Sequence, residues 1–208
     1  MTSQPQVPGA AAVYLDREET TVDDLHEFTI YTRLKVLTEG GKKFGDVEIY
    51  YGSNRDGQGT SIQNIEARTI EPDGTIVPFT GKPYDKLVQK AHGAKEMEKV
   101  FSMPDVRVGS IIEYRYRISY GDDFVIAPQW YIQSELFTRK AHYVWKPTLR
   151  QLADDRGTVS TIMWLPILPA GTQVKRTTYP AAKYQEIGRT MYELTIENVP
   201  PAPDEEYM

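Results

Sequence analysis

The chain of 208 residues contains no cysteine. That excludes disulfides, thiol nucleophiles and thiolate metal sites within it. It does not fix a compartment, since many exported proteins also lack cysteine, and a chain this long buries roughly 70% of its unfolded surface and needs no metal or disulfide to fold. No apolar run approaches the ~20 residues of a membrane-spanning helix. No surplus of positive charge exists either: the net charge is −5 and the pI about 5.3, which disfavours nucleic acid as a partner. The start, Met1-Thr2-Ser3-Gln4-Pro5, lacks the basic and apolar regions of a signal peptide. Long amphipathic helices are missing, which disfavours a parallel α/β fold. There is no fixed-period repeat and no low-complexity tract.

What is present is alternation with a period of two, the mark of half-buried strands. Ile112, Tyr114, Tyr116 and Ile118 point one way, and Glu113, Arg115 and Arg117 the other. His26, Phe28, Ile30, Thr32, Leu34 and Val36 alternate with polar or charged neighbours in the same way. Strands are predicted over 11–21, 25–38, 46–51, 62–70, 76–79, 98–102, 109–120, 128–137, 139–146, 158–165 and 189–198. Gly40-Gly41 reads as a turn, and Pro72-Asp73-Gly74-Thr75 as a tight turn in which glycine supplies the positive φ. Residues 82–96 are the least strand-like, and within them Tyr84 to Ala91 reads as two helical turns or a mobile loop. The sum is an all-β fold, a large two-layer antiparallel β-sandwich of about 10–12 strands with little helix. Residues 1–10 read as a disordered lead-in, 11–199 as the sandwich domain and 200–208 as a proline-rich linker.

The motifs that carry chemistry fail on inspection. His26-Glu27-Phe28-Thr29-Ile30 lacks the second histidine of a zinc-protease helix. The loop 52–59 has Asn54, Asp56 and Gly57 where a calcium loop wants them, but Gly52 and Gln63 stand at two ligand positions. Gly57 and Gly59 lack the third glycine of a dinucleotide cradle. His26, His92 and His142 read as structural rather than as members of a triad. Asp122-Asp123 and Asp154-Asp155 read as turn residues. The sequence therefore predicts no catalytic residue, cofactor or metal in this segment. Aromatic residues are the remaining signal. Trp130, Tyr131 and Trp145 are the candidate contacts for a ligand or a neighbouring domain, because rings on a sheet face stack sugars or extended peptides at low entropic cost. Trp164 lies in the same half of the chain, and core packing is the bland alternative for the group.

Pro72-Asp73-Gly74-Thr75, then Phe101-Ser102-Met103-Pro104-Asp105-Val106, then Gly109-Ser110-Ile111-Ile112-Glu113-Tyr114 form a series that resembles a bacterial domain of unknown function. That domain usually sits directly before a transglutaminase-like domain. Asn198-Val199-Pro200-Pro201 and Glu205-Glu206-Tyr207-Met208 resemble its junction into the next domain. The resemblance spans roughly residues 12–208. It implies an all-β sandwich in an exported protein, periplasmic or extracellular, whose signal peptide has been removed. It implies a non-catalytic accessory module beside a papain-like Cys-His-Asp domain, positioning protein or cell-envelope substrate. The partners implied are that C-terminal domain and a polypeptide or glycan; a carbohydrate-binding sandwich is the alternative. Pro72, Asp73, Gly74, Pro104, Gly109, Glu113 and Tyr114 match the signature, and their physical reading is turn chemistry and strand packing.

Overall fold

The computed structural model describes residues 4–53, 59–91, 93–121, 128–147, 168, 171–179 and 189–202. Eleven strands are found among them: β1 (Ala12–Val22), β2 (Glu27–Val36), β3 (Asp46–Ser53), β4 (Thr60–Ile70), β5 (Ile76–Pro78), β6 (Tyr84–Ala91), β7 (Ala94–Ser102), β8 (Ile111–Tyr120), β9 (Thr138–Lys146), β10 (Lys175–Tyr179) and β11 (Arg189–Val199). Eight form one sheet in the order β10-β11-β9-β1-β2-β8-β4-β5, and β3-β7-β6 form a second. The fold is thus the expected all-β sandwich.

The alternation seen in sequence decides which face is buried. Leu34 and Val36 of β2 pair with Ala12 of β1 and Ile112 of β8 across the ladder, or sit beside those pairs. Together they meet Val47, Ile49 and Phe101 of the small sheet, and Met103 just beyond it, in one core. Val47 and Ile49 point inward while the next residue, Tyr50, is exposed. Further along the inner face of the large sheet, Ala141, Tyr143 and Leu194 form a second cluster with Trp130 and Ile132 packed on it.

Several expectations change. The sandwich is not wholly antiparallel: β1 runs parallel to β9, with Glu18 opposite His142 and Thr21 opposite Trp145. Residues 128–137 do not form a strand. Their alternation is real, but it belongs to an extended strap whose Trp130 and Ile132 cover the second cluster instead of joining a ladder. Residues 84–91 and 94–102 form the hairpin β6–β7; helix or loop was expected for 84–91, and the strand expected at 98–102 begins earlier, at Ala94. Gly40-Gly41 lies within a 3-10 helix, Glu39–Gly45. His26 leaves the strand pattern: it caps a 3-10 helix, Asp23–Leu25, in left-handed geometry. Residues 4–10, read as a lead-in, form turns held by Val7 N–H to Gln4 and Ala10 N–H to Val7 carbonyls, with Val7 and Ala10 packed on Val13, Leu37 and Phe137. The predicted strand 158–165 lies outside the described residues.

Candidate functional site

The candidate aromatic contacts separate in space. Trp145 is 4% exposed. It lies against Tyr192, ring centroids 5.3 Å apart, and its Nε1–H donates to both carboxylate oxygens of Asp23 at 3.1 and 3.2 Å. Trp130 is half-buried and stacks on Tyr143 at 5.5 Å. Tyr131 is the exposed one of the three, at 71%, with its hydroxyl donating to Gln129 at 2.7 Å. The two tryptophans thus form no open platform. Trp164 lies outside the described residues.

The signature residues shape turns and packing. The Asp73 carboxylate accepts the Thr75 N–H at 2.9 Å, and that backbone bond is the leading reason its pKa is lowered. Gly74 and Gly109 both have positive φ, +94° and +92°. Gly109 sits directly against the Pro72 ring, so the two halves of the signature touch. Arg107 ties the same loops together through Glu71 at 3.3 Å. Pro104 lies in the turn after Met103, whose N–H bonds the Gly45 carbonyl. Tyr114 packs edge-on to Phe101 in the core. Glu113 accepts hydrogen bonds from Tyr31 at 2.6 Å and Arg68 at 2.9 Å. Burial opposes ionisation of Glu113, but those two donors outweigh it and hold the carboxyl below its usual range.

Glu113 belongs to an arrangement that strand register creates. On the outer face of the large sheet, Glu197 of β11 stands opposite Lys140 of β9. Lys140 lies 3.9 Å from Asp16 of β1, Asp16 stands opposite Arg33 of β2, Arg33 opposite Glu113 of β8, and Glu113 opposite Arg68 of β4. Charges of alternating sign thus cross six neighbouring strands. Opposite charges at directly opposed sheet positions favour this register.

One end of the row opens into a cleft of about 610 Å³ lined by Leu15, Asp16, Arg33, Arg139, Lys140, Glu197 and Asn198. Two backbone irregularities border it. A bulge between Tyr14 and Asp16 breaks the β1 ladder and re-aims the chain, and Asn198 holds a left-handed φ of 56°. The Asn198 side-chain oxygen accepts from Gln6 at 3.2 Å, so the N-terminal turns form a rim. Asp16 Oδ1 and Arg33 Nε are buried there without a hydrogen-bond partner. A second, smaller hollow of about 330 Å³ lies among Glu27, Thr29, Asn64, Glu66, Arg115, Tyr116 and Arg117. Its charges are more fully committed, with Arg117 bound to Glu27 at 2.8 Å.

No catalytic constellation assembles among the described residues. The His142 ring bonds Glu193 at 3.0 Å, His26 lies edge-on to Tyr120, and His92 is outside the described residues. No group of three or more His, Asp or Glu positioned for a metal occurs among the described residues. No helix there is long and apolar enough to cross a membrane. The 54–58 part of the glycine-rich loop, Asp122-Asp123 and Asp154-Asp155 lie outside the described residues. Sequence reasoning missed the cleft because its lining comes from four strands brought together by register, with no local signal.

A family model described as "Domain of Unknown Function with solved-structure structure (DUF3857)" matches residues 23–203. No curated protein matches the sequence. Among solved structures, one described as a "putative protease" from Parabacteroides distasonis ATCC 8503 superposes with a TM-score of 0.56 at 19% identity. The match covers 94% of this chain and 37% of that one. The likeness is one of fold.

Proposed function

The chain belongs to the DUF3857 family, and from that premise we propose that it is a non-catalytic accessory module of a larger exported protein. It positions polypeptide or cell-envelope substrate for a neighbouring transglutaminase-like domain. The supporting observation is the coverage: nearly all of this chain corresponds to little more than a third of a protease-named protein. The missing cysteine leaves a papain-type nucleophile to a neighbour. Mixed charge on the outer face suits a polar polymer better than an apolar ligand, and the interior placement of Trp130 and Trp145 gives glycan stacking little support.

The test starts with the parent coding sequence beyond Met208. A following domain with cysteine, histidine and aspartate is expected. In the parent protein, deleting this segment is then expected to raise KM for a polypeptide substrate while kcat for a minimal substrate stays within about twofold, the signature of lost binding remote from the chemistry. Turnover of substrate by the chain alone, or a parent without such a domain, overturns the proposal.

A further inference from the structure

We propose that the cleft around Arg33 and Arg139 binds an acidic segment of an extended polypeptide, holding one of its carboxylates between the two guanidinium groups. The inference rests on the accessory-module reading and names the part of the surface that would meet substrate. The volume, about 610 Å³, lies within the range of small-ligand sites. Its lining carries three cations, Arg33, Arg139 and Lys140, against two carboxylates, Asp16 and Glu197. That local excess is positive on a chain whose net charge is −5.

Apart from the attraction of Arg33 to Glu113, which it faces across the ladder, these charges are little used. Among the described residues neither Arg33, Arg139 nor Glu197 is in an ion pair, and the one pair in the cleft, Lys140 with Asp16, is long at 3.9 Å. Asp16 and Arg33 are directly opposed, yet Asp16 Oδ1 and Arg33 Nε each lack a partner. Neither atom is committed to another protein group. A ligand that draws the two side chains slightly outward can bond both. A carboxylate satisfies Arg33 and Arg139, with the bidentate geometry that arginine favours. Backbone N–H groups flanking that carboxylate satisfy Asp16 and Glu197. A free anion offers the first half of this and not the second, so the donor and acceptor pattern selects a peptide.

The experiment is an NMR titration of the whole chain with an acetylated, amidated alanine hexapeptide bearing one central glutamate. The same peptide with glutamine, and N-acetylglutamate alone, are the comparison probes. Saturable shifts are expected at Arg33 Nε–H and the Asn198 amide, with affinity at least about tenfold above N-acetylglutamate. Arg139→Ala, at an exposed position, is expected to weaken the glutamate peptide about three- to tenfold and the glutamine peptide hardly at all. Arg33→Gln, with folding checked by its spectrum, should abolish the shifts at Asn198. No saturable binding, equal binding of N-acetylglutamate, or binding unaffected by both substitutions overturns the proposal. The two proposals fail separately. Peptide binding without any effect on a neighbour's KM sinks only the accessory role, and a KM effect that survives Arg33→Gln in the parent protein sinks only the cleft.

Discussion

Gly109 is held at a φ of +92°, and a Cβ there would lie 3.2 Å from the Pro72 ring. Any L side chain strains the backbone at such a φ. Gly109→Ala is therefore expected to cost about 1–3 kcal/mol, readable as a lower midpoint in chemical denaturation. Trp145 makes a different demand. Asp23 is 1% exposed and takes the indole N–H on both oxygens. Trp145→Phe removes that donor while keeping most of the apolar volume, so a loss of about 1–3 kcal/mol is expected from the hydrogen bond alone. Trp145→Phe should lose far more stability than Tyr131→Phe at the exposed neighbour; equal losses would show that the Asp23 bond is unimportant. Glu19 sets a pH dependence. Burial pushes its carboxyl from 4.5 up to about 7, with Arg17 opposing. The folded protein therefore keeps a proton there that the unfolded chain gives up at lower pH. The contribution to stability is complete below about pH 4.5 and falls as pH rises towards 7, then levels off. Since the side chain keeps some exposure, the fall is discounted to roughly 1–2 kcal/mol. Glu19→Gln is expected to flatten that fall and to exceed the parent chain in stability at about pH 8, by urea titration at several pH values.

At the scale of elements, β6 shows what sequence patterning does and does not reveal. Strands β2 and β8 were legible because one side of each is buried and their side chains alternate accordingly. Strand β6 is exposed on both sides over most of its length, so no alternation was selected there and the segment looked like loop or helix. The strap at 128–137 errs the other way: it alternates because one side is covered, though no ladder forms. Alternation reports burial of an extended chain, and pairing is a separate matter. Strand β6 also lies at the edge of the small sheet, with Tyr84, Leu87 and Val88 exposed at 59%, 54% and 45%. Such an edge invites pairing with other chains. A bulge between Leu87 and Gln89 and the lysines Lys86 and Lys90 blunt it. Lys86 also bridges Glu98 at 2.8 Å and Glu48 at 3.6 Å. The double substitution Lys86→Val and Lys90→Val is expected to produce concentration-dependent association, visible by light scattering, while the parent chain stays unassociated under the same conditions. The hairpin tip around Ala91 and Ala94 is further expected to exchange amide hydrogens well before Leu34 and Ile112, since it lacks apolar cover.

For the whole molecule, strand identity was largely readable and strand neighbourhood was not. The charge row from Glu197 to Arg68 exists only because residues up to 129 positions apart fall in register. The cleft shares that origin, which is why no motif in the sequence announced it. The signature residues lie in turns and packing contacts, but contact between Gly109 and Pro72 needed the fold to be seen. The parallel pairing of β1 with β9 has a further implication, for synthesis of the chain. Strand β1 finds β2 almost at once, across the short 3-10 turn at Asp23–Leu25. Its other edge stays open until Thr138–Lys146 has been made, and β9 then waits for Arg189–Val199. Whichever compartment the chain folds in, it emerges N-terminus first, so the central strand of the finished sheet keeps an unprotected edge until those later residues have followed. A chain cut short between those strands carries an open edge able to pair with its own kind, so truncated copies are the form most prone to associate.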